Sequence, residues 1–140
     1  MAFPNFAANS LLTAALLLSG CTSMSNGGQQ LTLVGASEVP AVTTTATGAS
    51  TIAIATDGSV TGSVTVMGMT PTASHIHMGG PGLNGPVIVP FVRSGDTFAP
   101  MPGAKLTDEQ MTAYRAGNLY VNVHSAAHPG GEIRAQLKAN

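Results

Sequence analysis

"STIAIATDGSVTGSVTVMG", Ser50 to Gly68, carries the pattern that decides the fold. Ile52 and Ile54 alternate with Ala and Thr, and Asp57-Gly58 supplies turn residues. Val60, Val64 and Val66 then fall on one face of the return strand. Alternation on both sides of an Asp-Gly pair reads as a β-hairpin. Small and β-branched residues on both faces suit the packed sheets of a sandwich or barrel.

Working outward, the same signal recurs. "LTLVG" (31–35) reads as a first strand, and Pro40 in "ASEVPAVTTTATG" marks an edge or bend. "ASHIH" (73–77) is a short strand with Ile76 on one face and His75 and His77 on the other. "PVIVPFV" (86–92) is an apolar strand interrupted by Pro90, which suggests an edge or bulge. In "NLYVNVH" (118–124), Val121 and Val123 face one way and Tyr120, Asn122 and His124 the other. "EIRAQL" (132–137) alternates Ile133, Ala135 and Leu137 against Glu132, Arg134 and Gln136. One helix is signalled near residues 108–116. Thr107 and Gln110 form a capping box, Leu106 and Met111 stand at the staple positions, and Asp108, Glu109 and Arg115 match the helix dipole. Seven or eight short strands and one helix predict an all-β Greek-key sandwich or barrel.

Composition narrows the function. The chain has 140 residues, no Trp and a net charge of −1, so it is one domain with no basic footprint for nucleic acid. The N-terminus is different in kind. Leu11 to Leu18 is an apolar run too short to span a bilayer comfortably, and it reads as a signal-peptide core. "LLSGC" (17–21) resembles the lipobox of bacterial lipoproteins. The likeness implies that residues 1–20 are a signal peptide and that Cys21 becomes an acylated N-terminus, anchoring the chain to the membrane. Thr22 rather than Asp after that cysteine implies outer-membrane delivery, facing the periplasm or the surface. No Lys or Arg precedes the apolar core, a departure from the usual signal. Residues 21–30 read as a flexible tether and 31–140 as the folded domain. Cys21 is the only cysteine, so the mature domain has neither a disulfide framework nor thiolate ligands.

All four histidines cluster beside two turns: His75 and His77 before "MGGPGLNGP", His124 and His128 around "SAAHPGG". On a strand, i and i+2 share a face, about 7 Å apart at Cα. The two pairs converge if their strands are neighbours. Imidazole is the commonest metal-ligating side chain, and nitrogen-only ligation suits copper(II) first and zinc second. His75, His77, His124 and His128 are the expected ligands, with Met69 and Met78 as soft ligands should the metal be copper(I). Glu132 is placed either to orient a histidine or to pair with solvent or Arg, and Glu38 is the other carboxylate of note. The opposing interpretation is that these histidines only organise turns. The glycine loop lacks the Lys and Ser/Thr of a phosphate loop, so its glycines shape the chain. No Ser-His-Asp order or paired carboxylates stand out, so hydrolase chemistry has little support.

"LVGASEVPAV", "TATGASTIAIATDGSVTGSVTV", "HIHMGGPGLNGPVIVPF" and "AGNLYVNVHSAAHPGGEIRAQL" together resemble the CHRD domain, over about Leu31 to Leu137. The resemblance implies an extracytoplasmic β-sandwich-like module of largely unassigned biochemistry. Ala41 and Ala135 depart from residues common in that family. A second likeness is to copper-zinc superoxide dismutase, whose copper histidines His75, His77 and His124 resemble in placement. No histidine lies between His77 and His124 to bridge two metals, and neither a structural disulfide nor a zinc loop is present. That likeness therefore implies at most a mononuclear copper site. Three functions follow as expectations: a copper-binding envelope protein for sequestration, delivery or redox protection; a protein-interaction module without metal and with an unknown partner; and a copper-dependent oxidoreductase of dismutase type.

Overall fold

The computed structural model describes residue 1 and residues 28–139. The signal-peptide and Cys21 expectations lie outside those residues. Ten strands form: β1 Leu31–Val34, β2 Thr47–Ser50, β3 Ala53–Ile54, β4 Val60–Thr61, β5 Val64–Met67, β6 Pro71–Met78, β7 Val87–Ser94, β8 Thr97–Pro100, β9 Leu119–Ser125 and β10 Ile133–Leu137. Helix α1 spans Asp108–Arg115. Eight strands close an antiparallel barrel in the order β1-β10-β9-β6-β7-β8-β5-β2, and β3-β4 form a separate pair. The run β9-β6-β7-β8 is a Greek key: three hairpin-connected strands with the fourth returned beside the first.

The Ser50–Gly68 stretch folds as one long hairpin broken once. Ser50 pairs with Val64 in the barrel, and Ala53 pairs with Thr61 in the small sheet, in a continuous register. Asp57 and Gly58 make the turn, and Asp57 holds it by accepting from the Ser59 amide and hydroxyl. Where the two sheets part, Ile52 turns its carbonyl to the Gln29 amide instead. Gln29 also accepts from the Lys138 amide and donates to the Tyr114 hydroxyl, so the folded unit already includes it.

The barrel interior is apolar. Leu33, Val64, Val66, Ile76, Phe98, Leu119, Val121, Val123, Ile133 and Leu137 fill it. Met69 and Met78 pack against this core, so neither is placed as a soft metal ligand. The reason for Met78 is strand alternation: it shares the face of Ile76, not that of His77. Pro90 does not mark a sheet edge, because β7 lies between β6 and β8. It stands where β7 changes partner, pairing with His75 on β6 while Phe91 pairs with Pro100 on β8. A register shift on β7 comes just before it. Helix α1 closes one side with the expected box: Thr107 accepts from the Gln110 amide, and Gln110 accepts from the Thr107 amide. Leu106 and Met111 are both buried.

β9 and β10 are buried on both faces. An outward face that is also covered needs a lid, and the Gly79–Pro86 loop supplies it. Arg134, 2% exposed, donates to the Gly80 and Leu83 carbonyls and to Asn84 Oδ1. Gln136 donates to the Gly79 and Gly117 carbonyls, and Asn84 donates onward to the Val39 carbonyl. The barrel thus carries a second, polar packing layer on its outside. The histidines sit in it.

Candidate metal centre

Strand register builds this site. β6 lies between β7 and β9, with Ala73 opposite His124, His75 opposite Asn122 and His77 opposite Tyr120. Next to β9, β10 sets Arg134 opposite Asn122 and Gln136 opposite Tyr120. Alternation turns all of these outward while Ile76, Val121, Val123 and Ile133 fill the interior. Two sequence-distant histidine groups therefore meet on neighbouring strands.

His75, His77 and His124 each bring one ring nitrogen within 4.8 Å of the others. His75 Nδ1 and His124 Nε2 are 3.2 Å apart. Bonds of about 2 Å set ligand nitrogens roughly 3 to 4 Å apart around one ion, so the widest pair needs an adjustment of about 1 Å. The protonation pattern is fixed from behind. His77 Nδ1–H donates to the Gly85 carbonyl at 2.9 Å, and His124 Nδ1–H donates to the Pro129 carbonyl at 2.9 Å. Each ring is left with its Nε2 lone pair free to accept, and that of His124 faces His75 Nδ1. The His77 Nε2 is buried and has no hydrogen-bond partner. Backbone carbonyls that hold the far nitrogen are the usual support of a metal-ligating imidazole.

The rings are also held by stacking. His77 lies parallel to Tyr120, with centroids 4.7 Å apart and planes 7° apart. The Arg134 guanidinium covers the other face of the stack, 3.4 Å from the Tyr120 centroid. Burial, and then the neighbouring His124 and His77 rings, push His75 down to about 4. Burial lowers His77 too, against the opposing pull of the Gly85 carbonyl. At neutral pH both imidazoles are uncharged, the form that binds a cation. The donor set fits a borderline metal ion: neutral nitrogens, no thiolate, and one buried lone pair with nothing to accept.

Gly85 must be a glycine for this geometry. A Cβ there would lie 1.7 Å from the Met78 carbonyl oxygen, so the loop could not bring its carbonyl onto His77.

His128 is not brought to the same point. It lies in the turn after β9, where its amide donates to the Ser125 carbonyl and hydroxyl. It lines a cavity of about 370 Å³ with Glu38, Pro40, Asn84 and Gly131. Glu132 does not orient a ligand histidine; it accepts from the Thr44 hydroxyl at 2.7 Å. Burial works to raise its carboxyl, but hydrogen bonds from Ser125 and Thr44 and the charge of His128 hold it below its ordinary value. Four neighbours went unassigned in the sequence: Asn122, Tyr120, Arg134 and Gln136. The signal was available, since the outward face of "LYVNVH" and "IRAQL" carries Tyr, Asn, Arg and Gln, where a merely wetted face of this chain uses Thr and Ser.

Comparison with known proteins gives one match. The family model for the CHRD domain matches residues 29–137. No curated protein and no solved structure matches.

Proposed function

As this chain belongs to the CHRD domain family, we propose that it is a copper-binding β-barrel of the bacterial cell envelope, tethered by a lipid on Cys21. One observation carries the metal reading: His77 and His124 both spend Nδ1–H on backbone carbonyls and keep an Nε2 lone pair on the side of His75. Copper(II) is favoured because three neutral nitrogens with no thiolate suit it, and because it binds such sets more tightly than other divalent first-row ions. Zinc is the second choice. The cluster is made of imidazoles alone, and binding for sequestration, delivery or redox protection is the function that this set supports best.

The test is direct. Metal-free protein is titrated with copper(II) and zinc(II), and bound metal is counted by mass spectrometry. One equivalent of copper is expected, lost in His75→Ala and His124→Ala with folding retained, and kept in His128→Ala. If no metal binds and every histidine variant unfolds alike, the protein is an interaction module instead. For the anchor, Cys21→Ser is expected to move the protein from the membrane fraction to the soluble one.

A second reading rests on the partial exposure of His75 and His124. Three ligands leave a coordination position that solvent can reach, which a dismutase-type oxidoreductase requires. Superoxide consumption well above that of free copper would establish it.

A further inference from the structure

Among the described residues, three buried polar side-chain atoms have no hydrogen-bond partner: His77 Nε2, Asn122 Oδ1 and Glu38 Oε1. They belong to one neighbourhood. Asn122 is the cross-strand partner of His75, two residues before His124 on the same strand face. Its side chain lies against His77 on one side and Glu38 on the other. It is 1% exposed, and Glu38 is 6% exposed. A Cβ on Gly131 would fall 2.5 Å from Glu38 Oε1 and 2.7 Å from Asn122 Nδ2, so the missing side chain leaves room there for both groups.

The chemistry orients the amide. A carboxylate only accepts, so the NH2 end of Asn122 suits the Glu38 side, where Oε1 itself makes no hydrogen bond, and the oxygen is left for the imidazole side. On that side lies His77, whose proton sits on the nitrogen bound to Gly85. Neither His77 Nε2 nor Asn122 Oδ1 finds a donor among the described residues. Leaving such groups unsatisfied costs about 1–3 kcal/mol each, and a cation held between them removes the conflict. In trigonal copper sites of two histidines and a cysteine an amide oxygen is a weak further ligand, and here a third imidazole stands in the place of the thiolate.

We propose that Asn122 Oδ1 would serve as the fourth ligand of a metal held by His75, His77 and His124. This rests on the metal reading above.

The test uses copper(II) with the full chain purified in detergent. Wild type and Asn122→Ala are compared by affinity titration and electron paramagnetic resonance. Asn122→Ala is expected to keep one copper, to bind it about ten-fold more weakly, and to change the copper hyperfine pattern. Asn122→Asp, nearly isosteric, is expected to bind more tightly than wild type. Since Asn122 is buried, a measurement on the unaltered protein guards against misfolding. Wild type labelled with 13C at the asparagine side-chain carbonyl is expected to show a 13C coupling to copper in pulsed resonance. Stoichiometric copper in wild type with no 13C coupling, or an Asn122→Ala variant with unchanged affinity and spectrum, overturns the fourth ligand and leaves the histidine site standing. A wild type that takes up no copper overturns both.

Discussion

At the scale of single residues, the site is governed by what each polar atom is denied. His75 is held at about 4 by burial and by the neighbouring rings. Its unfolded value is about 6.5. The unfolded chain therefore takes up a proton first as pH falls, and the folded chain follows only near pH 4. The stability that this histidine supports is complete above about pH 6.5 and is lost progressively between there and pH 4. Metal-free protein is expected to melt at lower temperature as pH falls through this window, and His75→Gln is expected to flatten the dependence. Thermal melts at half-unit pH steps check it. The same shift alters the expected metal profile. From the sequence, copper binding should weaken below about pH 6. With His75 already neutral there, proton competition at this ring begins lower, and titrations at pH 6 and pH 5 measure where. Gly85→Ala is the complementary probe. It removes the carbonyl support of His77 without touching a ligand, and is expected to weaken copper binding about ten-fold or more.

Among the elements, what matters is that a loop is stapled to a sheet. Arg134 spends its guanidinium on two carbonyls of the Gly79–Pro86 loop, on Asn84 and on the face of Tyr120. Replacing it with Met keeps volume but strands those acceptors. Arg134→Met is expected to cost about 3 kcal/mol of stability, read by denaturant unfolding, and to loosen His77 through Tyr120. Thr107→Ala removes only a helix cap, whose side chain bonds the Gln110 amide. It is expected to cost about 1 kcal/mol with no change in metal affinity. The contrast between the two shows what was legible in the chain. The helix could be read nearly to the residue, because a capping box is a local rule over four positions. The hairpin at Asp57-Gly58 is equally local. The outward face of β9 and β10 was not legible as a buried layer, because its cover comes from a loop more than 30 residues earlier, and strand alternation alone says only that two faces differ. Of the edge or bulge that Pro90 suggests, the register shift beside it is present and the edge is not. Proline marks a missing donor, and a sheet interior can tolerate that where a strand exchanges partners.

For the molecule as a whole, a barrel decides which histidines can meet. The Greek-key order makes β6 and β9 neighbours, and the pairing of His75 with Asn122 and of His77 with Tyr120 follows from one register. A slip of one residue would turn every histidine of that register into the apolar interior. His128 escapes this logic because it lies in a turn, and position in a turn is not dictated by register. The convergence of three imidazoles was therefore foreseeable as a condition on strand adjacency, and the fourth was not. Closure also predicts that the site is autonomous. The eight barrel strands all lie between Leu31 and Leu137, and Gln29 pins the start of the fold to Ile52, Tyr114 and the Lys138 amide. The protein shortened to residues 28–140 is expected to fold cooperatively and to bind copper with the affinity of the full chain. Removing Gln29 as well, by starting at Leu31, is expected to lower the melting temperature by several degrees, about 1 to 2 kcal/mol, as its hydrogen bonds are lost. Circular dichroism melts and copper titration of the two lengths decide it. A shortened protein that is unfolded, or that folds without binding copper, would mean that the metal centre depends on something outside the barrel.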